Sequence, residues 1–179
     1  VLSGTTGESP TLSAEEKLQL FRLGREVLSP GTLVIAGTGS NDTAKAVELS
    51  RQAEQAGANA LLVVSPYYNK ATPEGLITHY TKIAQAVELP IILYNVPGRT
   101  GVDIPVEVYA QLCKIPNIAG VKEASGNLSK TARIRQVCGP DFSVWSGNDD
   151  SIVPTLSRGG RGGGSVLSNL CPEETVAMA

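Results

Sequence analysis

Residues 61–94 read LLVVSPYYNKATPEGLITHYTKIAQAVELPIILY, and they hold one complete folding unit. Leu61-Leu62-Val63-Val64 opens it and Ile91-Ile92-Leu93-Tyr94 closes it. Neither run alternates with polar residues, so each predicts a strand buried on both faces. Between them Thr72 precedes Pro73. Proline at a first helical position lacks an N–H that would go unbonded there anyway, so a helix is expected from Thr72 to about Val87. A strand that returns through a helix makes a parallel sheet with helices packed outside it.

Working outward, similar apolar runs occur at Leu33–Ala36, Ile118–Val121, Ser143–Trp145 and, more weakly, Ser165–Leu167. They recur roughly every 20–30 residues, a repeat in its own right. Val1-Leu2-Ser3 reads as the end of a further strand. Ser13-Ala-Glu-Glu16 reads as a capping box for a helix over Glu15–Val27. Ala44–Ala56 carries apolar residues at helical spacing with Gly57 as a stop, and Ile104-Pro105 starts a helix ending near Leu112. A closed (β/α)8 TIM barrel or an open doubly wound sheet fits this order, and the period favours the barrel. Residues 1–179 are then one α/β domain, an incomplete barrel whose first strand and helix are expected to precede Val1.

The composition narrows the chemistry. Hydrophobic residues make up 41% and charged residues 18%, ordinary for a globular domain with one core. A net charge of -2 gives no basic field, so no nucleic-acid partner is expected. No apolar run approaches the roughly 18–20 residues of a membrane span. The N-terminus shows no basic n-region of a signal peptide. Cys113, Cys138 and Cys171 are odd in number and far apart in sequence, which fits a reducing cytoplasm better than a disulfide framework. His79, the only histidine, leaves no histidine-rich metal site; it is expected on a helix surface.

In parallel α/β barrels the chemistry sits where strands end. Those positions are Gly4-Thr-Thr-Gly7, Gly37-Thr-Gly39, Tyr67-Tyr-Asn69, Tyr94-Asn95, Lys122-Glu123 and Gly147-Asn-Asp-Asp150. Lys122 ends an apolar strand. A lysine there loses solvation in its charged form, its pKa falls, and its free amine can attack a carbonyl. The competing reading pairs it structurally with Glu123 or another carboxylate. Tyr94 could relay protons to such a centre or simply cap the rim. Gly4-Thr-Thr-Gly7 could hold a carboxylate through backbone N–H groups and hydroxyls, or be a plain turn. Arg99, just beyond Pro97-Gly98, could grip a second carboxylate or face solvent.

Together, Gly4-Thr-Thr-Gly-Glu8, Pro66-Tyr-Tyr-Asn69, Tyr94-Asn-Val-Pro-Gly-Arg-Thr-Gly101 and Gly120-Val-Lys-Glu-Ala-Ser-Gly126 resemble the dihydrodipicolinate synthase family of class I pyruvate aldolases. Their order and spacing match over essentially the whole chain. The resemblance implies a lyase in lysine and diaminopimelate biosynthesis that condenses pyruvate with aspartate 4-semialdehyde. Lys122 matches the Schiff-base lysine and Tyr94 the proton-relaying tyrosine. Thr5 matches the threonine that links Tyr94 to a second tyrosine, Tyr68, which the family supplies across a tight dimer interface. Thr6 matches a contact to the pyruvate carboxylate, Arg99 the arginine for the semialdehyde carboxylate, and Gly147 and Gly164 backbone positions lining the pyruvate site. The resemblance further implies no metal or organic cofactor, and a homotetramer built from dimers.

Three departures stand out. Gly163-Gly164 replace bulky apolar residues in the last strand, which weakens it and puts the backbone contact at Gly164 in question. In members inhibited by lysine, an acidic residue holds the effector's ammonium; Lys45 stands there, and Ala14 and Lys17 replace histidines of that site. Ser9, Asn41 and Tyr67 are retained. A cation facing a cation is repulsive, so weak or absent lysine feedback is expected. Finally, the family carries a preceding strand and helix and a helical C-terminal domain that these residues do not contain. N-acetylneuraminate lyase or another pyruvate-dependent aldolase shares the lysine and tyrosine, and Thr5-Thr6 and the Arg99 loop favour the synthase. A non-catalytic barrel is the reading from another class.

Overall fold

A computed structural model describes residues 1–179. Six strands form one sheet: β1 (Ile35–Gly37), β2 (Ala60–Val64), β3 (Ile91–Asn95), β4 (Ile118–Glu123), β5 (Ser143–Ser146) and β6 (Gly162–Gly163). Each pairs in parallel with the next in sequence. The order never reverses, whereas a doubly wound sheet must reverse at its switch point. The sheet is therefore an arc of a (β/α)8 barrel. Leu2 adds a single parallel bridge to Ala36, with its N–H bonded to the Ile35 carbonyl at 2.9 Å. This is the strand end expected at Val1–Ser3.

The helices that accompany the first five strands are α1 (Ala14–Val27), α2 (Thr43–Gln55), α3 (Pro73–Ala84), α5 (Val106–Leu112) and α6 (Leu128–Cys138). Short ones are α4 (Pro97–Thr100), α7 (Ile152–Leu156) and α8 (Pro172–Met178). No helix is long and apolar enough to cross a membrane. The capping box opens α1: the Glu16 N–H is bonded by Ser13 Oγ, and the Ser13 N–H by the Glu16 carboxylate at 2.8 Å. Such caps contribute about 1 kcal/mol each. Thr72 caps α3 through the Gly75 N–H. That helix ends at Ala84, short of Val87, because its next bonds are diverted. The Glu88 N–H goes to the Glu54 carboxylate at 2.9 Å, and Asn117 Nδ2 takes the Ala84 carbonyl at 2.9 Å.

Strand alternation sorts the side chains. Leu61, Val63, Ile91, Leu93 and Val121 face outward and join the main core of 26 buried residues between sheet and helices. Leu62, Ile92 and Tyr94 face inward and form a small second cluster with Val96. Gly120 is required in β4, where an added Cβ would run into the Ser143 carbonyl and the Trp145 ring.

Two expectations are corrected. The last strand is Gly162–Gly163, and Ser165–Leu167 is not a strand; Leu167 already begins a 3-10 turn. The glycine run takes the place beside β5 because the Arg161 and Gly164 N–H groups bond the Val144 and Ser146 carbonyls at 2.8 Å each. His79 is not on the surface: it is 3% exposed in the seam between α2 and α3. Its Nδ1 lies 2.9 Å from the Thr43 hydroxyl, and burial lowers its pKa to about 4. Cys113 and Cys138, distant in sequence, meet where α5 packs on α6, and burial beside Cys113 pushes the Cys138 thiol up to about 12.

Candidate active site

Tyr94 and Lys122 end neighbouring strands and are direct partners in the β3–β4 register. Both turn to the inner face. Lys122 Nζ lies 4.7 Å from the centroid of the Tyr94 ring. Glu123 follows the alternation to the opposite face, so the structural pairing of Lys122 with Glu123 does not occur. The two ion pairs present, Arg22–Glu15 and Lys130–Asp103, leave Lys122 free. Burial lowers the Lys122 pKa, and Asp149 opposes part of that shift. The resulting amine is held neutral over more of the pH range than a surface lysine.

Tyr94 is 7% exposed. Burial raises its pKa, against smaller lowering effects from the Arg99 guanidinium and the Thr5 side chain. Its phenol is thus a proton donor at neutral pH, able to hand over its proton and recover it.

A cavity of about 840 Å³ opens over this rim. Thr5, Tyr68, Tyr94 and Arg99 all line it. Tyr68 is held at φ 72° with its side chain 89% exposed, and its N–H bonds the Thr100 carbonyl at 3.0 Å. Non-glycine residues rarely adopt this conformation, and they do so where the surroundings impose it. Lys122 is not part of the cavity wall; it touches Tyr94, which is. Thr6 is exposed and also lies outside the wall.

Gly164 stands beside Lys122. An added Cβ would lie 2.8 Å from Lys122 Cε and 3.0 Å from Nζ, so the glycine leaves the space that the lysine tip fills. Gly147 donates its N–H to the Glu123 carbonyl at 2.7 Å, which keeps β5 in step with β4 beyond Lys122. Ser9, Lys17 and Tyr67 line the outer part of the same cavity. Asn41 lines a separate depression, and Lys45 is exposed on α2.

Behind the two strand ends lies a polar network that strand-end reading did not reveal. Asn95 Nδ2 lies 3.0 Å from each Glu123 carboxylate oxygen, and 2.8 Å from Asp103. The Ser125 N–H bonds Glu123 at 2.7 Å, and the Ile104 N–H bonds the Asn95 carbonyl oxygen at 3.0 Å. Lys130 pairs with Asp103. The available signal was the alternation itself, which puts Asn95 and Glu123 on the face opposite Tyr94 and Lys122.

Comparison with known proteins follows this geometry. The model of the dihydrodipicolinate synthetase family matches residues 1–179. A 4-hydroxy-tetrahydrodipicolinate synthase of Methanococcoides burtonii is 52% identical over 174 residues, covering 97% of this chain and 59% of the relative. The crystal structure of a dihydrodipicolinate synthase from Bacillus anthracis superposes with a TM-score of 0.96 at 41% identity, covering 98% of this chain and 60% of that one. A chloride-inhibited dihydrodipicolinate synthase from Acinetobacter baumannii, solved in complex with pyruvate, gives 0.95 at 44% identity, with 98% and 60% covered. The chain thus spans about 60% of the length of the relatives it matches.

Proposed function

The chain belongs to the dihydrodipicolinate synthetase family, and from that premise we propose that it carries the Schiff-base centre of a 4-hydroxy-tetrahydrodipicolinate synthase. The reading rests above all on Tyr94 and Lys122, paired in register on adjacent strand ends inside the barrel, with the lysine pKa lowered by burial. The neutral Lys122 amine adds to the keto carbon of pyruvate. The carbinolamine takes up one proton and loses water, which leaves a protonated imine. Its positive nitrogen acidifies the methyl group, and loss of a methyl proton gives a neutral enamine. That carbon attacks the aldehyde of aspartate 4-semialdehyde, and the substrate amine displaces Lys122 on cyclisation. Tyr94 moves the protons of imine formation, with Thr5 beside it, and Arg99 on the cavity wall takes the semialdehyde carboxylate. Thr6, Gly147 and Gly164 are assigned to pyruvate.

The strained, 89% exposed Tyr68 supports a contribution across a dimer interface, within a homotetramer in the cytoplasm. Lys17 on the cavity wall and the exposed Lys45 favour weak or absent inhibition by lysine, which a titration of lysine into the assay checks.

Borohydride reduction in the presence of pyruvate tests the centre. The expected product is one pyruvyl adduct on the Lys122 peptide, absent in Lys122→Arg. No adduct on Lys122 in the folded protein overturns the proposal. Turnover of aspartate semialdehyde compared with cleavage of N-acetylneuraminate separates the synthase from the lyase.

A further inference from the structure

Asn95 ends β3 and is wholly buried. It follows Tyr94 in the chain and pairs in register with Glu123, as Tyr94 pairs with Lys122. Its side-chain amide has two N–H donors and one acceptor oxygen, and all three are used. The donors go to carboxylates on two different elements: Glu123, 3.0 Å from each oxygen, and Asp103 at 2.8 Å. The acceptor takes the Ile104 N–H at 3.0 Å. Two carboxylates and one backbone N–H fix which way the amide points. An aspartate here would set three carboxylates together, and an apolar residue would leave the buried Ile104 N–H without a partner.

These bonds reach both halves of the site. Glu123 follows Lys122, so one N–H of Asn95 holds the strand end that carries the amine. Asp103 and Ile104 close the loop that leaves β3 at Val96 and passes through α4, so the other N–H and the acceptor hold its far end. Arg99 reaches the cavity wall from the middle of that loop. The Thr100 carbonyl beside it accepts the N–H of Tyr68, which lines the same wall. The two ties differ in redundancy. The ends of β3 and β4 are also joined through the backbone, with the Ala124 N–H on the Asn95 carbonyl at 2.8 Å. The hydrogen bonds that tie the far end of the Arg99 loop to a strand are those of the Asn95 side chain.

We infer that Asn95 is a positioning residue that sets Arg99 against the Lys122–Tyr94 pair, its one amide holding the amine's strand end and the far end of the arginine loop at a fixed separation. This rests on the Schiff-base reading above and deepens it. The aldehyde of the second substrate must meet the enamine carbon on Lys122 while its carboxylate meets Arg99. Such alignment is lost steeply, up to about 100-fold for a 1 Å misplacement. Asn95 faces away from the cavity and acts through Arg99, favouring a substrate whose carboxylate lies a set distance from its aldehyde carbon.

Two readouts separate the halves of the site. Borohydride trapping of pyruvate on Lys122 needs no second substrate, and KM for aspartate semialdehyde reports the Arg99 side. Asn95→Ala is expected to trap pyruvate at a rate close to wild type, because the backbone still joins the two strand ends. Its KM for the semialdehyde is expected to rise by about tenfold or more. Asp103→Asn keeps an oxygen for the Asn95 donor and should keep the wild-type KM. Asp103→Ala, made with Lys130→Met so that no ammonium is left buried alone, should raise it. Arg99→Ala decides the route: with the arginine gone, N95A should add little further to KM, since residues that act as one unit are not additive. If N95A leaves KM unchanged, or raises it as much in R99A as in the wild type, the inference fails while trapping keeps the Schiff-base reading standing. Trapping and turnover falling in the same proportion at unchanged KM mark a purely structural residue and also overturn it. If the wild type itself traps no pyruvate, both readings fall. Circular dichroism checks the fold of N95A; should it not fold, the D103A/K130M protein takes its place in the same comparison.

Discussion

Lys122 and Tyr94 meet ammonium to ring face, 4.7 Å apart, from directly paired positions on β4 and β3. The contact has two parts that respond to different substitutions. The ring attracts the charged form of the lysine, and the phenol is the group that would supply a proton in the proposed reaction.

Tyr94→Phe separates them. The ring and its packing remain, and the proton donor goes. Turnover is expected to fall by about 10²–10⁴-fold, the usual contribution of a positioned acid–base group. The melting temperature should stay close to wild type. Steady-state kinetics beside a thermal melt checks this, and a variant with undiminished turnover would remove Tyr94 from the relay.

The Lys122 amine titrates below an ordinary lysine because burial penalises its charge. The rate of pyruvate trapping should therefore rise with pH and reach half its plateau below about 10.4, the value of an unperturbed lysine. The same shift acts on stability. The unfolded chain binds the proton more tightly, so this group favours folding less as pH falls from the unfolded pKa through the folded one. A trapping profile centred at or above 10.4 would contradict the burial argument.

Glu123→Ala removes the acceptor shared by Asn95 Nδ2, in a buried setting, and the Ser125 N–H, in a part-buried one. A loss of about 3 kcal/mol in unfolding free energy is expected, since each orphaned donor costs about 1–3 kcal/mol. Glu123→Gln keeps one carbonyl oxygen but sets an amide NH2 against that of Asn95, and should cost less than Ala. Urea denaturation of the three proteins ranks them.

His79, with its pKa lowered to about 4, binds no proton in the fold where the unfolded chain already does. Its contribution to stability is complete above about pH 6.5 and drains away as pH falls toward 4, up to about 3 kcal/mol. His79→Asn leaves an oxygen for Thr43 and nothing to titrate. Its stability, measured by denaturation from pH 7 to 4, should fall less steeply than that of the wild type.

The readable parts of the sequence were those whose cause is local. Unbroken runs such as Ile91–Tyr94 declare strands, Thr72-Pro73 and Ser13–Glu16 declare helix starts, and a lysine at the end of Ile118–Val121 declares itself by position. Features set by a distant partner were not readable. His79 looks like a surface histidine until α2 brings Thr43 against it. The helix α6 is rich in charged and polar residues, and its start depends on Asn127 capping the Lys130 N–H. The last strand was misplaced because β-branched Val166 carries the strand signal, while the N–H groups that bond β5 belong to Arg161 and Gly164. Glu123 and Asn95 were visible as residues, but their bond needs β3 and β4 side by side.

The sequential strand order has a consequence for endurance. In an arc of six, β3 and β4 are the two central strands. Each is paired on both sides, to β2 and β5 as well as to each other, and those flanking strands are themselves paired on their far sides. Tyr94 and Lys122 therefore ride on the part of the sheet whose amides should exchange with solvent last. Gly164, against which the Lys122 tip lies, follows the two-residue β6, so local opening there would disturb the surroundings of the amine well before it moved the strand that carries it.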